Sequence, residues 1–521
     1  MKPRHSRGRV LSLGLLLGLA VSCSAGTSLV TTPATTPPSI VAPPTAPAPA
    51  PAPAPADWQI THAGKSGEIE GFADHTSVTP GQPLYLFVST TARSYTVTAY
   101  RMGSATTEVW RSEPQQGREQ AAAVLQAPTS TIVAPWQPSL TVSTERWAPG
   151  DYLFRLDADT GAQQFVPLTV RTESNAGRIV LVNAVTTWQA YNRWGGYSLY
   201  DSPSGKKSER SRAVSFDRPY QAEAMQGAGD FLFFELPFVA FAEQSGHQLG
   251  YATDIDLHAD PHLLDGARAV ITLGHDEYWS AAMRNNTTRA RDSGVNLAFL
   301  GGNDVYRHIR FGPTSLGPDR LEIDYKSFAE DSASASTPLD ATQEWRSPPT
   351  PRPESALLGN IYKCNPVSAD LVVSDANSWL LQGLVTDGQR LAGMVGNEYA
   401  QVDLSWPTPR PIDVLFHSPL TCHGAPGFAD VTYYTAPGGS GVFSAGTQYW
   451  ICGVDPQCPK ARADDGSVLH TISAITTRLL DAYANGPAGA RHPAVENLQQ
   501  LHVPGATEPI LPELPNALVP Q

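Results

Sequence analysis

The stretch Val270-Ile-Thr-Leu-Gly-His-Asp-Glu-Tyr-Trp-Ser280 constrains the fold more than any other part of the chain. Aliphatic and β-branched residues run to Gly274, and three ionisable side chains follow at once. An apolar run without alternation reads as a strand buried on both faces, the usual state of a parallel strand covered by helices. Open α/β sheets bind ligands just beyond the carboxyl ends of their strands. His275, Asp276 and Glu277 are therefore expected at such an edge. A polar turn capping the next helix accounts for the same residues, and on this segment alone the two readings stand level.

At 521 residues the chain exceeds one ordinary core, which predicts two folded domains. Lys2, Arg4, Arg7 and Arg9 precede the apolar run Val10–Val21, long enough for a signal h-region and short for a membrane span. Ala20 and Ser22 then lead to Cys23, similar to a bacterial lipobox with Ala20 where leucine is usual. Residues 1–22 are thus expected to be a signal peptide. Cys23 is expected to carry lipid, making the chain a cell-surface lipoprotein; ordinary cleavage nearby would leave it secreted. The formal charge is −13, and loss of residues 1–22 makes it more negative. So acidic a surface is repelled by phosphate backbones, which argues against nucleic acid and leaves membrane contact to the anchor. Cys364, Cys422, Cys452 and Cys458 remain, an even number that points to two disulfides in an exported chain. The short loop through Pro456 favours Cys452 with Cys458 and leaves Cys364 for Cys422. Zinc competes, but the spacing is poor for a knuckle.

Residues 23–57 are rich in proline and alanine and read as an extended linker. From 58 to 172 short alternating runs such as Leu84–Val88, Tyr95–Tyr100 and Asp151–Leu156 lie between turn signals, which predicts an immunoglobulin-like antiparallel β-sandwich. From 176 to 486 the period changes. Ile179–Val182, Gln248–Ala252, Ala269–Leu273 and Val295–Leu300 read as buried strands, with helical spacing in Phe231–Glu243 and Ser280–Ser293. Ala392–Tyr399 and Gly441–Thr447 read as strands returning to the same sheet, and Val468–Tyr483 as a closing helix. The expected class is α/β, a parallel sheet wound on both faces. Residues 487–521 read as a flexible tail.

Several mechanisms lack their motif. There is no G-x-S-x-G elbow, no H-E-x-x-H and no G-x-x-x-x-G-K-S/T phosphate loop, and no cysteine beside a histidine is expected at a strand end of the main sheet. What remains at strand ends is Tyr191, Tyr200, His275, Glu277, Asn303 and Glu398. Neutral tyrosine is a poor ligand, but a strongly Lewis-acidic cation stabilises its phenolate. Two phenolates and a carboxylate make a hard oxygen site suited to ferric iron rather than zinc. The same aromatic tract could instead pack as core or line a sugar-binding surface. The chain would then be a non-catalytic cell-envelope protein that binds glycan or peptide.

The runs Thr187-Trp-Gln-Ala-Tyr-Asn192, Gly196-Tyr-Ser-Leu-Tyr-Asp201, Gly274-His-Asp-Glu-Tyr-Trp-Ser280 and Phe299-Leu-Gly-Gly-Asn-Asp304 resemble the C-terminal domain family of the N,N-dimethylformamidase large (beta) subunit. Ile69-Glu-Gly-Phe-Ala-Asp74 and Tyr100-Arg-Met-Gly103 resemble the sandwich that precedes it, so the similarity spans roughly 66 to 486. The resemblance implies a glutamine-amidotransferase-like fold and hydrolysis of a small amide at a mononuclear ferric iron. It implies Tyr191, Tyr200 and Glu277 as iron ligands, and His275 and Asn303 as orienting residues. Lys326 and Glu398 match through looser context. Glu398 is the expected base, and Lys326 or His275 would steady the oxyanion. The chain departs from the family in a shorter gap between its two tyrosines and in Ser202-Pro-Ser-Gly-Lys206, which replaces a tract richer in His and Asp. It encodes no small subunit, and self-association stays open. A hydrolase using zinc or no metal is the third reading.

Overall fold

Alternation along Gly150–Ala158 puts apolar residues on both faces of one strand, and that decides how the N-terminal half packs. A computed structural model describes residues 57–461 and 466–508; the signal segment, Cys23, linker residues up to 56 and the end from 509 lie outside the described residues. Ile69–Ala73, Leu84–Thr90 and Leu140–Val142 form a small antiparallel sheet. It faces a larger sheet built round Ser94–Met102, Gly150–Ala158 and Gln163–Val170. Val88, Val97, Phe154 and Leu156 fill the space between them. The opposite face of the larger sheet is apolar too: Tyr100, Met102, Leu153 and Phe165 pack on Val185, Trp188 and Phe231 from the following segment.

That following segment centres on a seven-stranded sheet. Leu249–Thr253, Ile179–Asn183, Ala269–Thr272, Asn296–Phe299 and Gly441–Ser444 lie side by side in parallel. The sheet is completed by Ala425–Thr435, antiparallel to Gly441–Ser444, and by Ile412–Cys422, antiparallel to Ala425–Thr435. The expected class does not hold. The described chain is β-rich, its six sheets dominated by antiparallel pairs, and it is not a parallel α/β domain of the glutamine-amidotransferase kind. The reason is physical. An unbroken apolar run reports that both faces of a strand are dry, not what covers them. Here helices supply only part of the cover, and the helices Val185–Tyr191 and Asp254–Ala259 span only two turns or fewer. Between Phe299 and Gly441 the chain returns through hairpins instead of a helical crossover.

One of these hairpins pairs Ile361–Val372 with Arg390–Gln401 as a separate ribbon, so the strand expected at Ala392–Tyr399 does not join the main sheet. Leu371, Leu391 and Met394 from this ribbon bury against the sheet beside Ile472 and Leu479 of the helix Ser467–Ala484. The chain after Pro487 also packs, with Leu498 and Val503 in the core on the other face. Both expected disulfides form, Cys364–Cys422 and Cys452–Cys458, which suits an oxidising compartment. Among the described residues no helix is long and apolar enough to cross a membrane.

Candidate functional site

The parallel strands Ile179–Asn183 and Ala269–Thr272 are neighbours, so the segments leaving their carboxyl ends meet. Gly274 makes the turn, with φ at +56°; a Cβ there would sit 2.6 Å from the Phe234 carbonyl oxygen. Only glycine fits that approach without strain. His275, Asp276 and Glu277 follow, each almost wholly buried. The helix Val185–Tyr191 is tied to them through its threonines. The Thr187 hydroxyl accepts the Glu277 N–H at 3.0 Å, and Thr186 donates to the Tyr278 carbonyl at 2.9 Å. Those bonds set the helix so that its last residue, Tyr191, faces Glu277. The next turn is closed by Ser198, whose hydroxyl accepts the N–H groups of Tyr200 and Asp201.

Tyr191 donates its phenol hydrogen to Glu277 at 2.8 Å, and Tyr200 reaches the same carboxylate at 3.1 Å. The two phenol oxygens are 3.0 Å apart and the rings stack at 4.5 Å. Burial pushes both phenols well above their usual range, and the Glu277 charge pushes further in the same direction. Burial would also raise Glu277, but His275, Lys326 and Arg307 outweigh it and hold the carboxyl down at about 2. The result is a fixed anion touching two phenols that ionise only for a strong cation.

A third phenol joins them. Tyr278, fully buried, donates to the Tyr200 oxygen at 2.6 Å and accepts from the Lys326 ammonium at 2.8 Å. Lys326 also stands 3.2 Å from the centre of the Tyr200 ring. Its backbone is left-handed, φ +56°, and Asp324 accepts its N–H at 2.7 Å. Burial first, then Arg307, lower the Lys326 ammonium to about 7. Arg307 itself lies 3.6 Å from Glu277 and over the Tyr306 ring.

His275 Nε2 lies 3.6 Å from both Glu277 and Glu398, too long for hydrogen bonds but close enough for ionic attraction. Burial by itself would depress the imidazole; the two carboxylates and Asp230 win and raise it to about 9. It is a cation at neutral pH. Glu398 is raised, chiefly by burial, with His275 opposing. Its oxygens accept from Asn365 at 2.6 Å and Gln448 at 2.8 Å. The Asn303 amide also bonds Glu398, while its own Oδ1 is buried without a protein partner.

All seven residues singled out from sequence therefore gather in one place: Tyr191, Tyr200 and Glu277 as a triangle of oxygens, with His275, Asn303 and Glu398 to one side and Lys326 against the Tyr200 ring. Asp276 does not join them; it accepts from Trp279 Nε1 at 2.7 Å and belongs to a buried acidic group with Asp254 and Asp304. Sequence reasoning missed Tyr278, Arg307, Asn365 and Gln448. Tyr278 stands in the Gly274–Ser280 run and could have been read there; the other three carry no local signal. Among the described residues one trio of His, Cys and carboxylate donors is close enough to share an ion, Cys364, Cys422 and His423, but its sulfurs are bonded to each other.

No curated protein matches the chain. Among solved structures, a Paenibacillus sp. cycloisomaltooligosaccharide glucanotransferase complexed with cycloisomaltoheptaose aligns at 9% identity, over 68% of this chain and 60% of that one. Its TM-score is 0.16, too low to carry an argument. The family model described as N,N-dimethylformamidase beta subunit-like, C-terminal, matches residues 96–462, which include every residue of the site just described. By that match the chain belongs to the N,N-dimethylformamidase beta subunit-like family.

Proposed function

We propose that this protein is an exported, iron-dependent hydrolase of a small amide, with Tyr191, Tyr200 and Glu277 as the ligands of a mononuclear ferric ion. The observation that carries the reading is the convergence of two phenol oxygens on one buried carboxylate. The donor set fits the ion: all three atoms are oxygen, and phenols pushed above their usual range ionise only beside a hard, highly charged cation. Bound there, iron would supply Lewis acidity toward an amide carbonyl.

The chain's own residues do the rest. Glu398, its carboxyl raised by burial, is the group suited to take a proton from attacking water and return it to the leaving nitrogen. His275 keeps a positive charge between Glu277 and Glu398, where it opposes the charge that builds up on a carbonyl oxygen. Asn303 offers a buried Oδ1 that an amine N–H of substrate or product would satisfy. Lys326, already bonded to Tyr278, acts on the Tyr200 phenol; this replaces the oxyanion role expected for it. Export and a lipid anchor at Cys23 belong to the same proposal; the oxidised cysteines support export.

Elemental analysis of purified native protein, with release of dimethylamine from N,N-dimethylformamide as activity probe, tests the reading. One iron per chain and measurable release support it. Protein without iron and without release would sink it in favour of an envelope binding protein.

A further inference from the structure

Glu398 is held by one group from the facing strand of its own ribbon, Ile361–Val372, and one from a turn distant in sequence. Asn365 Nδ2 donates to Oε1 at 2.6 Å and Gln448 Nε2 donates to Oε2 at 2.8 Å. Both donors are neutral amides. An arginine or lysine in their place would fix the carboxylate equally well but pull its pKa down and weaken it as a base. Two donors on two oxygens also stop the carboxylate from rotating.

Each donor is anchored from behind. Gln448 opens the turn Gln448–Val454, and the preceding Thr447 hydroxyl accepts the Tyr449 N–H and binds the Gly396 backbone, two residues before Glu398. Asn365 follows Cys364, which is bonded to Cys422, and the next residue, His423, binds the Asn365 carbonyl oxygen through Nε2 at 2.8 Å. The backbone of Asn365 is therefore fixed by a disulfide and a histidine. Its side-chain amide bonds Glu398.

We propose that Asn365 and Gln448 are positioning residues that aim the Glu398 carboxylate, with the Cys364–Cys422 link as the strut behind Asn365. The inference rests on the reading of Glu398 as the base. A carboxylate that loses the donor on one oxygen can turn about the other, and a misplacement of about 1 Å in a catalytic group costs on the order of 100-fold.

The test uses the whole iron-loaded protein with N,N-dimethylformamide. Asn365→Ala should lower kcat by about 100-fold, with KM and iron stoichiometry unchanged. In a Glu398→Gln background the same change should cost nothing further, within about twofold. A purely structural loss would multiply with Glu398→Gln and would overturn the proposal. So would an Asn365→Ala enzyme that turns over like the native one. If Glu398→Gln itself is fully active, the base assignment fails and takes this inference with it, a result distinct from failure of Asn365 alone. Asn365→Leu keeps the volume but removes the donor, so it should lose as much turnover; native turnover overturns the proposal. A crystal structure of Asn365→Ala reads the same claim without turnover: a displaced Glu398 carboxylate supports it, and an unmoved one overturns it.

Discussion

The Tyr191 phenol and the Glu277 carboxylate, 86 positions apart in the chain, are joined by a 2.8 Å hydrogen bond inside the protein. Glu277 is 1% exposed and its charge is balanced by His275, Lys326 and Arg307. Removing either partner strands the other away from water, which is costly without a replacement.

Glu277→Ala should abolish iron binding outright. Losing a residue that merely orients a ligand typically costs about 10- to 100-fold in affinity, and losing one of the three ligands themselves costs more. Metal analysis after dialysis reads the result; iron retained at native stoichiometry would show that the ligands lie elsewhere.

Phenolate bound to ferric iron absorbs visible light, so colour reports the two tyrosines separately from turnover. Tyr191→Phe and Tyr200→Phe should each weaken and shift the band. Tyr278→Phe should shift it while iron stays bound, because that phenol donates to Tyr200 at 2.6 Å and a hydrogen bond of about 1 kcal/mol is lost. A spectrum identical to the native one in Tyr278→Phe would rule out that coupling.

Glu398→Gln keeps size and polarity but cannot accept a proton. Turnover of N,N-dimethylformamide should fall by about 10²–10⁴-fold, with iron content unchanged. Loss of iron in this variant would place Glu398 among the ligands instead.

Acid–base stability should carry the signature of Asp151. Burial raises this carboxyl from 3.8 to about 6, against partly offsetting hydrogen bonds from Asn183 and Thr169. Between those two values the folded chain holds a proton that the unfolded chain releases. Stability contributed by the protonated form is therefore complete below pH 3.8 and lost as pH rises toward about 6. At 1.36 kcal/mol per unit the loss is roughly 3 kcal/mol. Asp151→Asn should remove this slope, so its stability relative to the native chain should rise from pH 4 to pH 7 in urea titrations. Parallel curves would contradict the assignment.

The two disulfides should differ in worth. The Cys364–Cys422 bond closes a separation of 58 residues and Cys452–Cys458 one of 6. Loop-closure entropy gives about 4 kcal/mol for the first and about 2 kcal/mol for the second. Paired Cys→Ala variants compared by denaturant unfolding check the order, and equal losses would count against it.

Much of the site was legible because its residues sit in short runs tied to strand ends. The apolar stretch up to Gly274 announces a buried strand and an abrupt turn, and the residues after it must emerge at that edge. Tyr191 and Tyr200 could be matched the same way, since each lies in a compact motif. Asn365 and Gln448 could not. Each is an ordinary polar residue in an unremarkable context, and its meaning exists only where the facing strand of the ribbon and a short turn from a distant part of the chain meet Glu398.

Local order along the chain determined where strands and helices begin and which side chains leave their ends, because alternation and apolar runs are properties of neighbouring residues. What covers each face was settled only in three dimensions. Leu371 and Leu391 from an antiparallel ribbon dry one side of the sheet where a helix had been expected, and either cover satisfies the same apolar run. The pairing of Tyr191 with Glu277 likewise needed two parallel strands to lie side by side, and no pattern within either strand specifies its neighbour.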